Sequence, residues 1–560
     1  MSEKSIGAAA VRIRPLPLRG VLTIGRAADI WHKAALSAPI AFAVPALVLL
    51  ALGRLDLVLY TSAGALCAIY SHGEPYASRA RFMAWVVLGM LASVGIALVT
   101  AATTDSTAIR VAVGALLAAA HKTLCDAART GPPGGLILTF VAASCLFVPH
   151  QRLADVPFHL ALGLAGGAVA WLVAMAPSLV RPDGPERTAA ARALEAAARL
   201  AAAGPGGAAR ARHDAAAAIN AAWHALLRAG ARTPARAANR RALERLVAHA
   251  GTVVAGAPDD PGRLAGWAAD LRRNRPVPRP PARPGEDDEL AGIAAERAAA
   301  PRGVRGVLEA LRPGSPLLPI GARVAVGAAL AGWASAALGV GRPYWAVVTA
   351  AAIFQANITL SWRRGLQRAV GNLAGLALFT VLLPTTRAGG FALVAAVMAL
   401  QFCTEATMAR NYWLGSVFVT PMALLMVEMA GLQPAGRLAG ERWLDTCVGV
   451  AAGLLSCALV PNRRASGRIG AALDRLDAAT AAARTLGAAA ADPPQLARAR
   501  ERLTSALVEL RDAVDVASGE WWQGALPEER VERAEREGHR ALAALAPARA
   551  PARAPACRAA

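Results

Sequence analysis

From Phe82 to Ala102, and again from Pro343 to Trp362, this chain of 560 residues carries no charged side chain. At a rise of about 1.5 Å per residue, roughly 20 apolar residues in a helix cross a hydrocarbon core of about 30 Å. One such run could be a buried helix of a soluble protein, but about a dozen of them in one chain could not. Lipid admits only structures that satisfy every backbone group internally, and uninterrupted apolar runs of this length do so as helices. The expected fold is therefore all-α and polytopic, with the lipid bilayer as its first partner. Composition agrees, with 55% hydrophobic residues and only 18% charged.

The runs fall in two blocks. The first gives spans near 35–53, 57–73, 82–102, 107–125, 134–149 and 156–179; the second gives spans near 318–340, 343–361, 366–386, 388–406, 411–430 and 443–461. The fourth span has the shortest uncharged centre, because Arg110, His121, Lys122 and Asp126 crowd its ends. Five pairs align at offsets of about 285 residues: Gly53 with Gly339, Tyr60 with Tyr344, Arg79 with Arg363, Gly163 with Gly449, and Pro177 with Pro461. This spacing predicts a duplication, two six-helix transmembrane modules, and an even span count makes the repeats parallel. The chain then divides into an N-terminal arm (1–34), a first module (35–179), a helical segment (180–316) with a Pro-rich linker at 274–288, a second module (317–462), a helical hairpin or bundle (463–546) and a tail (547–560). The linker is expected to be extended and the tail disordered.

Charge sets the orientation. The net charge of +22 is almost all arginine, and most of it lies outside the spans, where positive residues hold segments in the cytoplasm. Arg19, Arg26 and Lys33, Arg181 and Arg187, then Arg312, Arg463 and Arg464 flank the blocks, so both termini and the central segment are placed inside. The same excess gives no reason to invoke nucleic acid. The seven cysteines form no CxxC pair and mostly sit in apolar runs, so neither a disulfide framework nor a metal site is readable. No P-loop, HExxH, GxSxG or GxGxxG occurs, so neither an enzyme nor a cofactor is expected.

Outside the spans, Glu186 to Ala203 and Asp214 to Ala229 have helical composition. Leu503, Leu507, Leu510 and Val514 form an apolar stripe, and Ile469, Leu473 and Leu476 begin another, predicting a hairpin that packs on the central segment or pairs with a second copy in a homodimer. Gly163 and Gly167, Gly371 and Gly375, and Gly449 and Gly453 form GxxxG pairs, for which packing within the chain is the expected use. The chemistry is expected among polar residues within or beside the spans, since such groups are costly in lipid and tend to line a pathway. The candidates are Gln355, Asn357, Arg368, Gln401, Glu405, Arg410, Asn411 and Asp445. Gln401 and Glu405 are four apart and share a helix face. Arg368 or Arg410 would serve an anionic substrate, and Glu405 a coupling proton.

The second block contains GRPYWAVVTAAAIFQ, WRRGLQRAVGNLAGLAL, ARNYWLGSVFVTPMALLM and ERWLDTCVGVAAGLL. Together these runs resemble the fusaric acid resistance protein family, aromatic-acid exporter-like integral membrane transporters, over roughly 318–462. The resemblance implies a bacterial inner-membrane (cell membrane) protein that exports small organic anions such as aromatic carboxylic acids. It carries over Pro343, Tyr344, Trp345, Gln367, Arg368, Gly371, Arg410, Asn411, Tyr412, Thr420, Pro421, Arg442, Asp445 and Gly449. A passive anion channel and a membrane scaffold with a partner-binding helical region are the competing functions.

Overall fold

The computed structural model describes residues 16–25, 29–204, 206–230, 233–280, 285–299, 303–430, 435–461, 464–489, 491–520 and 526–545, which hold helices and no strand. Arg26, Arg463 and the tail at 547–560 lie outside the described residues.

The chain begins with apolar helices α1 (Trp31–Ala51), α2 (Val58–Ala65, continued by a 3-10 turn at Leu66–Ile69), α3 (Tyr76–Thr103), α4 (Thr107–Ala127), α5 (Leu136–Cys145) and α6 (Val156–Met175). Polar helices follow: α7 (Gly184–Ala201), α8 (Ala208–Arg228), α9 (Pro234–Val254), α10 (Pro261–Arg272), α11 (Glu286–Ala299) and the short α12 (Gly303–Ala310). A second apolar set comprises α13 (Leu317–Ala337), α14 (Tyr344–Ile353), α15 (Ile358–Leu382), the single turn α16 (Pro384–Arg387), α17 (Gly390–Met408), α18 (Tyr412–Ala430) and α19 (Ala435–Leu459). Three polar helices close the chain: α20 (Arg464–Ala488), α21 (Pro493–Ser518) and α22 (Glu528–Ala544).

Nine of the described helices are long and apolar enough to cross a membrane, among them α4 with its crowded ends. Three shorter apolar helices, Leu55–Ile69, Leu136–Cys145 and Tyr344–Ile353, complete the set. Length alone does not make α14 a poor membrane helix, because all but one of its residues are buried in protein. It stops at Phe354, whose extended backbone leads to Asn357, the cap of α15; the Asn357 side chain accepts the Leu360 N–H at 2.9 Å.

Helix pairing is reciprocal between the two sets. α1 packs on α17 and α13 on α4; α2 packs on α6 and α14 on α19; α5 packs on α14 and α18 on α2. Small residues set these distances. A Cβ placed on Gly449 would stand 2.8 Å from the Ala346 carbonyl, and one on Gly163 would stand 3.5 Å from the Tyr60 carbonyl. Gly371 and Gly375 face Trp413, Ser416, Val417 and Thr420 of α18 in the same way. All three GxxxG pairs are thus occupied by helices of their own chain. Pro421, inside α18, has no N–H to give the Val417 carbonyl, and that oxygen lies against Gly375.

The polar helices on either side of the second apolar set merge into one body. Leu194, Trp223, Leu246 and Leu264 share a core with Leu473, Leu476, Leu503 and Leu510. α20 and α21 form the expected hairpin, and its stripe faces this core. The Pro-rich stretch departs from expectation at its end: Glu286, Asp287 and Asp288 form the first turn of α11 rather than an extended linker. Acidic residues suit the positive end of a helix, and Arg245 reaches Glu286 at 3.4 Å and Asp287 at 3.3 Å.

Candidate functional site: a buried donor cluster in the second helix set

Arg364, Arg368 and Asn372 are spaced four apart on α15 and therefore lie on one face, with Gly371 and Gly375 letting α18 come close beside them. The Arg364 guanidinium lies 3.3 Å from the centre of the Tyr412 ring, and Arg368 Nη1 donates to the Tyr412 hydroxyl at 3.4 Å. One turn further, Thr420 Oγ1 donates to Asn372 Oδ1 at 3.0 Å. On α19, Arg442 and Asp445 share a face. Arg442 lies 5.1 Å from the Trp345 ring, which Arg342 also approaches at 5.7 Å, and Asp445 Oδ1 accepts from Ser335 at 2.5 Å. Arg442 and Arg368 are within electrostatic reach of each other.

These groups are enclosed: Arg368 is 4% exposed, Arg442 1%, and Asn372 and Asp445 0%. Yet Nε of Arg364, Nε of Arg368, Nε and Nη1 of Arg442 and Nδ2 of Asn372 have no hydrogen-bond partner among the described residues. All are obligate donors. The hydroxyls of Thr349 and Ser416 and Oδ2 of Asp445 are also without partners. Leaving one buried donor unmade costs about 1–3 kcal/mol, and more when it is charged. Three guanidiniums against one carboxylate make an electropositive cluster suited to an anion with oxygen acceptors.

Not every residue expected at the site is there. Arg410 is exposed just beyond α17, where its N–H donates to the Thr407 carbonyl and its carbonyl accepts from the Gly25 N–H, both at 2.9 Å. An arginine at a helix end reaches outward to polar surroundings, so it lies away from the cluster. Asn411 and Gln367 hold the N-terminal arm by its main chain: Asn411 Nδ2 donates to the Thr23 carbonyl at 2.7 Å, and Gln367 Nε2 to Val21 at 2.8 Å. Arg363 and the Trp413 indole hold Gly20 and Leu22 similarly, at 2.7 and 3.2 Å. Further along the arm, Asp29 takes hydrogen bonds from Arg192 and Arg272; burial opposes its charge, but these two partners bring it down to about 2. Asn357 is a helix cap whose Nδ2 donates to the Val516 carbonyl of α21 at 3.2 Å, and Gln355 donates to its neighbour's carbonyl. Gln401 donates to Glu405 at 3.0 Å as their spacing predicts, but no hydrogen bond among the described residues joins that pair to the cluster.

Of the remaining family positions, Tyr344 packs against Phe147 of the first set at 5.8 Å, and Pro343 precedes α14 as its cap. Arg364, Asn372 and Ser335 are members that the sequence reading passed over. The i, i+4, i+8 spacing of Arg364, Arg368 and Asn372 was the available signal.

The first set has fewer such unpartnered groups among the described residues, Arg79 Nε and His159 Nδ1. His121 bonds Ser93 at 2.7 Å and Thr139 at 3.1 Å, while Arg79 bonds the Ala174 carbonyl and His72, both at 3.0 Å.

The chain matches the family described as fusaric acid resistance protein-like, from residue 329 to residue 456. Residues 329–456 form a fusaric acid resistance protein-like region. Every member of the donor cluster, from Ser335 to Asp445, falls inside this fusaric acid resistance protein-like region. The chain is also 31% identical over 190 residues to an uncharacterized membrane protein, YvaC, of Bacillus subtilis (strain 168); the match covers 33% of this chain and 29% of that protein. No solved structure matches significantly. The apolar helices and these relatives make this a multi-pass membrane protein.

Proposed function

We propose that the protein is a transporter that exports small organic anions, aromatic carboxylates among them, across the bacterial cell membrane. The observation that carries this reading is the set of buried guanidinium and amide donors at Arg364, Arg368, Asn372 and Arg442 that meet no acceptor. A carboxylate supplies two acceptor oxygens and one negative charge, and an aromatic ring beside it suits the Tyr412 and Trp345 faces. The membrane modules are 35–179 and 317–462, parallel repeats of six helices each. The reciprocal pairing of α1 with α17 and α13 with α4 supports that arrangement, as does the single body formed by the polar segments. Both termini and that body lie in the cytoplasm, consistent with the arginines flanking the helices. The apolar stripe of α21 is turned into the core of that body, so that stripe is not offered to a partner.

Inside-out vesicles supplied with labelled benzoate test the proposal. Accumulation above the outside concentration when a proton gradient is imposed, reduced at least tenfold by Arg442→Ala and by Arg368→Ala, is the expected result. Flux that only equilibrates would indicate a passive channel. Flux indifferent to both substitutions would remove the cluster from the pathway.

A further inference from the structure

The body of polar helices contains a second concentration of incompletely partnered cations. α8, α21 and α22 enclose a partly open cavity of about 40 Å³ lined by Arg212, His213, Arg511, Glu535 and His539, with Leu507 and Leu542 among its apolar walls. A buried water needs roughly 10–15 Å³ of such space, so the cavity admits a group the size of a carboxylate. The Arg212 side chain makes no ion pair or hydrogen bond among the described residues, and its Nε is buried without a partner. His539 Nδ1 is likewise buried and unpartnered. Burial, with Arg212 nearby, brings His539 down to about 4, so at pH 7 its ring is neutral and has one N–H to donate. Two carboxylates compete for the cations, but neither neutralises Arg212. Glu535 sits 3.5 Å from Arg511 and is itself pushed up by burial, while Asp512 lies 3.8 Å from His213.

We propose that this cavity is a binding site for a small organic carboxylate, its head group taken by Arg212 and Arg511 and its apolar part resting on Leu507 and Leu542. The choice of carboxylate rests on the transport reading above; the site itself is separate from the donor cluster among the apolar helices. Its position gives it a consequence. α8 belongs to the segment after the first apolar set, and Arg228 at its end pairs with Glu74 between α2 and α3 at 2.9 Å. α21 belongs to the segment after the second set. At its end, Gly519 accepts from Thr359 at 2.9 Å, and Glu520 pairs with Arg323 at 2.9 Å. A ligand clamped between α8 and α21 therefore links two helices that are each pinned to a different apolar set.

Calorimetric titration of benzoate into the purified full chain in detergent, in an Arg442→Ala background that disables the membrane cluster, tests the site. Benzoate should bind, and adding Arg212→Ala or Arg511→Ala should weaken binding at least tenfold. Arg212→Lys, which keeps the charge and the packing stem, should retain part of it and guards against a folding defect. No binding in the Arg442→Ala background, or binding unchanged by both alanine substitutions, overturns the proposal. Either result leaves the vesicle flux experiment standing, and a failed flux experiment leaves this titration interpretable.

Discussion

Arg442 holds a full positive charge among apolar helices with the Trp345 ring over its face and two nitrogens that bond nothing among the described residues. Such a residue is a burden on the fold. Asp445 is the carboxylate that faces it, and replacing both members of a buried pair by apolar side chains of similar volume is often neutral or stabilising, because the desolvation cost disappears with the charges. Arg442→Met together with Asp445→Leu should therefore raise the stability of the detergent-solubilised protein by about 1–3 kcal/mol while abolishing benzoate accumulation in vesicles. A thermal melt set beside the flux assay reads both; a variant that is destabilised and inactive would mean that Arg442 is a structural member of the helix packing. The same scale shows what could be read in advance. Arg368 and Asp445 stand out in the sequence because their side chains are charged within apolar runs, and both are buried. Arg410 carries the same charge as Arg368 but falls between the spans at 388–406 and 411–430, and the sequence does not reveal that its side chain turns outward there.

At the scale of helices, close approach is made by missing side chains. α19 lies on α14 through Gly449 and Gly453, where a Cβ on Gly449 would meet the Ala346 carbonyl at 2.8 Å and Thr349 Cβ at 2.7 Å. A larger side chain there must push one helix off the other, at a cost of about 1–3 kcal/mol or more. Gly449→Leu should lower the midpoint of thermal unfolding clearly. Gly440→Ala, on the same helix but with nothing within 4 Å of the added carbon, should not. Equal midpoints for the two variants would contradict the packing described. The spacing of the glycines was legible in the sequence because GxxxG marks one helix face. Which helix each face meets was not legible, since any of the neighbours offered equally small residues.

The whole molecule is held together by contacts that no local pattern announces. The offset of about 285 residues was visible in a few glycines, tyrosines and prolines. That two polar segments, separated by an entire apolar set, share one core was legible only as one of two readings, the other being a homodimer, because each has its own ordinary amphipathic stripes and nothing in either names its partner. A deeply buried tie between that core and the apolar helices is the pair of Arg323 and Glu520, joined through both guanidinium arms at 2.9 and 3.1 Å with side chains 2% and 3% exposed. Arg323 also donates to the Val460 carbonyl at 2.7 Å, so α13, the end of α19 and the end of α21 meet at one guanidinium. Breaking a buried pair on one side strands the other charge, which costs about 3–5 kcal/mol, whereas removing both charges together can be nearly neutral. Glu520→Ala should accordingly destabilise the solubilised protein by about 3–5 kcal/mol, and Arg323→Met with Glu520→Leu should return to within about 1–2 kcal/mol of the original. Chemical denaturation of the single and double variants closes the cycle. If the double variant is as unstable as the single, the contact holds the two bodies in register by its hydrogen bonds, not by charge balance. If the double variant is stable but its vesicles accumulate less benzoate, the polar body acts on transport through this joint.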